Sequence, residues 1–297
     1  MYINHNQMAT QVANTLTSNY GKLSTSVQRL STGLRVNSAA DDAAGLAIRE
    51  LMRTDIAALQ QGVRNANDAI SLIQTADGAL SVIDEKLIRM KELAEQAATG
   101  TYDSTQRLMI DSEYQAMASE ITRIANATDF NGLKLLDGSL SGDTHSGSAM
   151  EATGKMKIHF GTMNDSAEDY YYIQIGTSTA SALGVGNQAT AHSATADART
   201  VSTQEAAQKA LVGLNAAVVS KDKIRAHLGA LQNRLENTIS NLTTQSQNLQ
   251  AAESRISDVD VATEMTSFVR NQILTQSAVA MLSQANSMPQ MAMKLIG

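Results

Sequence analysis

Apolar residues near the start of the chain run Val12, Leu16, Tyr20, Leu23, Val27, Leu30 and Leu34, at steps of three or four. That is the spacing of a coiled-coil seam, in which one helix face meets a partner helix. Near the other end, Met265, Phe268, Val269, Ile273, Met281 and Leu282, together with Val261, Leu274, Val279 and Met288, predict a helix that is apolar over most of its circumference. Such a helix is stable only when surrounded. Residues 1–40 and 258–297 thus frame the chain, and what lies between is read against them.

Inside these ends the same periodicity continues. Met52, Ile56, Leu59, Val63, Ala66, Ile70 and Ile73 hold a heptad, and Ala76, Leu80, Ile83, Leu87, Met90, Ala94 and Ala97 resume it one step out of phase, a stammer within one long helix. Ser38 with Asp41 gives a capping box or a tight connection ahead of it, and Gly100 ends it. Asp103 or Ser104 can cap a third helix with the stripe Ile110, Tyr114, Met117, Ile121 and Ile124, closed by an Asn-Gly turn at Asn131 and Gly132. From Ser139 to Ala198 the texture changes to Gly, Ser, Thr and Asp. There, 155–160 and 169–175 predict two strands of a hairpin that must rest on the helices, and 186–199 predict an exposed loop. Helix resumes near Ser202, with Glu205 three residues on. It leads to a second long series, Leu228, Leu231, Leu235, Thr238, Leu242, Gln245, Leu249, Ala252 and Ile256, in which Thr238 and Gln245 are candidate register-setting polar positions.

The order is therefore seam helix, long helix, variable middle, long helix, apolar helix. The expected fold is mainly α, a long antiparallel helical bundle or coiled coil of the N- and C-terminal halves, with a small β-hairpin region in the middle and the chain ends together. Three parts are expected: 1–40 plus 258–297 as a terminal coiled-coil domain, 41–140 plus 200–257 as a helical bundle, and 141–199 as a hairpin and loop belonging to the bundle.

Charge changes the picture of the ends. Lys22, Arg29 and Arg35 are the only charged side chains in 1–36, and Glu264, Arg270 and Lys294 the only ones in 262–297. An ordinary coiled coil flanks its seam with Glu and Lys. Seven seam side chains bury too little apolar surface to offset the ordering of so many residues. The ends are accordingly expected to be poorly ordered in a free monomer and to become helical when many copies pack together.

Composition excludes several chemistries. One Pro, no Trp, no Cys and 3% aromatics among 297 residues describe a chain of long Ala- and Leu-rich helices. Without cysteine there is no disulfide framework and no thiol nucleophile. A net charge of -6 with no Lys or Arg block, and few aromatics for stacking, speaks against a nucleic-acid partner. No run approaches a membrane span, and residues 1–10 lack the features of a cleaved signal. His5, His145, His159, His192 and His227 are scattered without metal-ligand spacing, and no Gly-rich phosphate loop or nucleophile elbow occurs. No catalytic, cofactor or metal residues are expected, and the chain reads as a non-enzyme.

Three blocks carry a resemblance. SVQRLSTGLRVNSAADDAAGLAIR at 26–49 resembles the N-terminal signature of bacterial flagellins, and LGALQNRLENTISNL at 228–242 with DVATEMTSFVRNQILTQSAVAMLSQAN at 260–286 resemble the C-terminal one. The likeness covers roughly 1–140 and 200–297. It implies a subunit that self-assembles into the flagellar filament, with terminal helices lining the filament core and no large outer domain. It also implies partners: further copies of itself, the flagellar export apparatus with its chaperone, and the hook-filament junction and cap proteins. It places the protein outside the cell, in the filament. A hook-filament junction protein of the same superfamily is the alternative, and the full DDAAGLAI and ATEMTSF matches favour flagellin. The stretch LIRMKELAEQAATGTY at 87–102 resembles the segment bound by Toll-like receptor 5, with Arg89 and Leu93 at matching contact positions and Glu113 at a third. Ile88 and Lys91 depart from that pattern, where Gln and Arg are usual. The other reading of the same residues is that they build contacts between protofilaments.

Overall fold

A computed structural model of the chain describes residues 6–146, 154–166, 168–186 and 199–296, with side chains as far as Met291. Among these described residues six helices and two small hairpins follow in chain order: α1 Gln7–Thr32, α2 Ala43–Ala98, α3 Ser104–Ala127, β1 Asp129–Phe130, β2 Leu133–Lys134, β3 Met156–His159, β4 Tyr170–Ile173, α4 Ala180–Leu183, α5 Gln204–Ser257 and α6 Val261–Ile296. The mainly α architecture with a small middle hairpin is as expected. The described chain forms two compact units, one of residues 1–57 with 246–297 and one of 58–245, so that α2 and α5 each contribute residues to both.

The unit of 58–245 holds the large core. Along α2, Ala66, Ala69, Ile73, Ala76, Leu80, Ile83, Leu87, Met90, Ala94 and Ala97 are buried, and the helix runs through the extra three-residue step at Ile73 to Ala76 without a break. They meet Ile110, Tyr114, Ala118, Ile121 and Ala125 of α3 and Ala207, Ala210, Leu214, Ala217, Leu228, Leu231 and Leu235 of α5. Polar contacts fix the directions. Arg89 pairs with Glu113 and Arg107 donates to the Ala97 carbonyl, so α3 is antiparallel to α2. Lys91 donates to Asn215 and Arg225 pairs with Asp77, so α5 is antiparallel to it as well. Gln245, a candidate register position, is exposed, and its neighbour Ser246 is buried instead.

Caps locate the helix starts within a residue of the sequence expectation. Asp103 caps α3, its backbone N–H donating to Gln106 at 3.1 Å. At α5 the cap is Thr203 rather than Ser202: the Thr203 hydroxyl accepts from the Ala206 N–H at 3.2 Å, while the Ser202 N–H is taken by Thr200. The Asn131-Gly132 turn has φ of 53° and 83°, the positive pair that a type I′ hairpin requires.

The second hairpin pairs β3 with β4 antiparallel, Met156 opposite Ile173 and His159 opposite Tyr170. Met156, Ile158, Tyr171 and Ile173 turn to the core, and Lys157, His159, Tyr170 and Tyr172 occupy the other face, with the Lys157 ammonium 3.6 Å above the Tyr170 ring. The hairpin rests on the helices as expected. Asn65 of α2 donates to the His159 carbonyl at 2.8 Å, and Arg234 of α5 lies 3.5 Å from the Tyr171 ring centre. Of the loop expected at 186–199, residues 187–198 lie outside the described residues. Gly186 itself is buried, its Cα close to Ala118 of α3, and so is not part of an exposed loop.

Gly62 marks the closest approach of hairpin and helix, since a Cβ there would meet the Phe160 carbonyl. Gly62→Ala is expected to destabilise by about 1–3 kcal/mol through overpacking. Gly78 is exposed on the same helix, and a Cβ there would stand in open space. It should respond with the opposite sign: Gly78→Ala gains roughly 0.5–1 kcal/mol of helix stability. Urea unfolding followed by circular dichroism reads both, and equal signs would contradict the packing described.

Candidate functional site

The terminal helices α1 and α6 pack against each other. The Asn6 amide donates to the Ala285 carbonyl at 2.8 Å, and the Arg29 guanidinium lies 3.7 Å from Glu264, so the pair is antiparallel and brings the two ends of the described chain together. At its other end Gly33, with φ 73°, ends α1 in the left-handed conformation. Leu34 then bridges Asp258, the Val259 N–H donates to the Gly33 carbonyl at 3.0 Å, and the Arg35 guanidinium donates to the Ile256 carbonyl at 2.7 Å. Asp260 starts α6 by accepting from the Ala262 N–H at 3.0 Å and the Thr263 hydroxyl at 2.8 Å. Those bonds, the Thr263 hydroxyl's foremost, hold its carboxyl below the usual range.

The covered faces are narrow. On α1 they are Ala9, Val12, Leu16, Asn19, Leu23, Ser26 and Leu30. On α6 they are Phe268, Asn271, Thr275, Ala278, Leu282 and Ala285. Both series step by threes and fours. The stripe expected on α1 differs from the covered one at two places: Asn19 and Ser26 are buried, while Tyr20 is 52% and Val27 48% exposed. Of the other expected seam residues, Val12, Leu16, Leu23, Leu30, Leu34, Phe268 and Leu282 are half-buried. Met265, Val269, Ile273 and Met281 are exposed, as are Val261, Leu274, Val279 and Met288. A single partner can cover only one face of a helix, so much of the large apolar surface of the pair lies outside it.

Between α1 and α2 the expected box at Ser38 and Asp41 is a turn and not the helix cap. Asp41 accepts from the N–H groups of Asn37 and Ser38, whereas Asp42 caps α2 by accepting from the Gly45 N–H at 2.9 Å. The Asp41 carboxyl is held low, by the Ser38 N–H first and the Asn37 N–H next.

The residues suggested as innate-receptor contacts separate into two groups. Arg89 and Glu113 lie together on an exposed face, joined at 2.8 Å, with Glu92 3.0 Å from Arg89. Leu93 is 1% exposed: it falls on the buried stripe of α2 between Met90 and Ala97 and offers no surface to a receptor. Sequence reasoning passed over Lys221, which is 1% exposed and paired with Asp84 and Asp222. Its signal was present, since Leu214, Leu228, Leu235 and Leu242 recur in sevens and Lys221 fills the vacant place. Among the described residues no group of His, Asp and Glu is arranged to hold a metal ion, and no helix is long and apolar enough to cross a membrane.

Antiparallel long helices carrying a terminal pair with uncovered apolar faces define a helical structural protein. Comparison with known proteins gives the family. Residues 3–141 match the bacterial flagellin N-terminal helical region and residues 211–296 the bacterial flagellin C-terminal helical region. A flagellin of Bacillus subtilis (strain 168) is 43% identical over 309 aligned residues, and a flagellar filament 33 kDa core protein of Treponema phagedenis is 40% identical over 299, each with all of both chains covered. A solved structure described as a flagellar hook-associated protein, from Vibrio parahaemolyticus, shares the fold at 14% identity with a TM-score of 0.55, covering 73% of this chain and all of that one. The chain belongs to the bacterial flagellin family.

The Asp41 turn gives a pH test. A carboxyl whose folded pKa is depressed contributes stability in full above its unfolded value, ordinarily 3.8, and loses it as pH falls through the lower folded value. Asp41→Asn should remove that acid-side dependence while leaving α2 capped by Asp42. An NMR titration of the side chain in assembled filaments, where residues 37–41 should be ordered, checks it, and an Asp41 carboxyl titrating there at or above 3.8 would contradict the turn.

Proposed function

We propose that this flagellin is a structural subunit that self-assembles into the bacterial flagellar filament, the propeller of motility. The observation that carries it is the uncovered apolar surface of the α1–α6 pair, from Tyr20 and Val27 on one helix to Met265, Val269, Ile273 and Met281 on the other. Copies packing side by side would bury that surface, and repeated heterologous contacts of this kind give an open helical polymer. In this reading residues 1–40 plus 258–297 line the filament core, 41–140 plus 200–257 surround them, and 141–199 belong to the surrounding layer. The subunit leaves the cell through the flagellar export apparatus with an export chaperone, and the filament it builds meets junction and cap proteins at its ends. Relatives named as flagellins and filament core proteins match from end to end, which favours the filament over the hook-filament junction. Arg89 and Glu113, without Leu93, remain the exposed pair through which Toll-like receptor 5 would engage the subunit.

The central test separates contacts within the chain from contacts between copies. Val27→Asp and Ile273→Asp each put a charge on an exposed apolar position, so the folded subunit should change by less than about 0.5 kcal/mol. Elongation of filament seeds, watched by electron microscopy, should be lost in both. Filaments of ordinary length from either variant would refute the proposed burial. Hydrogen exchange gives a second test: amides of 1–40 and 258–297 should exchange rapidly in free subunits and slow strongly in filaments. Equal protection in the two states would sink the idea that assembly orders the ends.

A further inference from the structure

The apolar surface of the terminal pair is rich in thioethers. Met8 of α1 and Met265, Met281, Met288 and Met291 of α6 are exposed, and Leu274, Met281 and Met288 lie seven residues apart along one stripe. The chain has no cysteine, so methionine supplies all its oxidisable sulfur. We propose that these methionines are a redox modification site, and that their oxidation in the free subunit blocks its assembly. The proposal rests on the filament reading above.

The chemistry balances with a peroxide as oxidant. The thioether sulfur attacks one peroxide oxygen, the O–O bond breaks, an S=O bond forms and one water is released. Sulfur loses two electrons and the peroxide gains them. A flexible apolar side chain becomes a polar sulfoxide, and methionine sulfoxide reductases reverse the change. On a surface that copies must bury dry, each sulfoxide carries an acceptor needing a partner that an apolar neighbour lacks. The free subunit is the vulnerable form, because in the filament the same sulfurs would be covered.

The chain contains its own controls. Met163, 77% exposed, and Met109 lie outside the terminal pair, and oxidising them should leave assembly intact. Met90, fully buried in the core, should resist peroxide in the folded subunit.

The test treats full-length free subunits with hydrogen peroxide, maps sulfoxides by peptide mass spectrometry, removes the oxidant and times elongation from filament seeds. Oxidised subunits should elongate roughly tenfold more slowly or not at all, and methionine sulfoxide reductase should restore the rate. A variant with M8L, M265L, M281L, M288L and M291L, which keeps volume and apolarity, should elongate equally well before and after peroxide. In preformed filaments those five sulfurs should oxidise more slowly than Met163. Untreated subunits that fail to elongate would bring down the filament reading and this proposal with it. Untreated subunits that elongate while fully oxidised ones keep pace would overturn this proposal alone. So would loss of elongation that the reductase does not reverse, which decides the matter even if the leucine variant fails to assemble.

Discussion

Among the described residues the terminal helices α1 and α6 pack chiefly on each other, and one helix can cover only one face of another. Everything unusual about this chain follows from how that single face is used. The most deeply buried positions of the covered stripe are small or polar, Asn19 and Ser26 on α1 and Thr275, Ala278 and Ala285 on α6, with Leu16, Leu23, Phe268 and Leu282 half-buried beside them. The Thr275 hydroxyl is satisfied inside its own helix, on the Asn271 carbonyl at 2.7 Å, so it can sit in the interface without a cross-helix partner. Large residues such as Tyr20, Ile273 and Met281 are left outside. The pair is thus held by modest burial and a few end contacts, and its larger hydrophobic free energy is available only to further helices.

The unit of 58–245 uses the same heptad arithmetic to the opposite end. Its stripes carry Leu, Ile, Ala and Tyr, they are fully covered by neighbours within the chain, and the core closes without other copies. Its one discordant member is Lys221. A slide of α5 along α2 by one heptad would keep Leu214, Leu228 and Leu235 among apolar neighbours, but it would carry Lys221 away from Asp84. Lys221 would keep Asp222 of its own helix but lose Asp84, so the cross-helix ion pair favours one among registers that the leucines alone would accept. Arg225 with Asp77, one turn further on, supports the same alignment at 2.7 Å.

Periodicity made most of this visible in the sequence. The long helices, the Asn131-Gly132 turn and the alternating strands of the hairpin stand where their patterns place them, because local geometry alone fixes those patterns. The missed features depend on neighbours. Ser202 and Thr203 are both good caps, and which of the two hydroxyls meets the Ala206 N–H depends on how the chain enters the helix, which the residue types alone do not say. On α1 the rule that large apolar residues turn inward selected Tyr20 and Val27, while the chain covers Asn19 and Ser26 one position away. A hydrophobic stripe records that burial occurs and not whether the cover comes from the same chain. Leu93 was misplaced by a similar route: a matching motif says which residue is present, and only packing says that it faces inward.

The scarcity of charge at the ends has a physical reading in the same terms. Arg29, Arg35, Asp41, Asp258, Asp260 and Glu264 cluster where α1 gives way to α2 and α5 to α6, and most of them are engaged there by backbone or by each other. Between Asn6 and Lys22 on α1, and between Arg270 and Met291 on α6, no charged side chain occurs. In a helical homopolymer every residue recurs at one radius, and near the axis its copies crowd together. A charge there would face its own duplicates in a poorly hydrated interior, where like charges repel far more strongly than in water. For ends that line the filament core as proposed, that repetition would exclude the Glu and Lys flanks that suit a two-stranded coiled coil. Neutral Asn, Gln, Ser and Thr can meet copies of themselves, because each group that donates a hydrogen bond also accepts one.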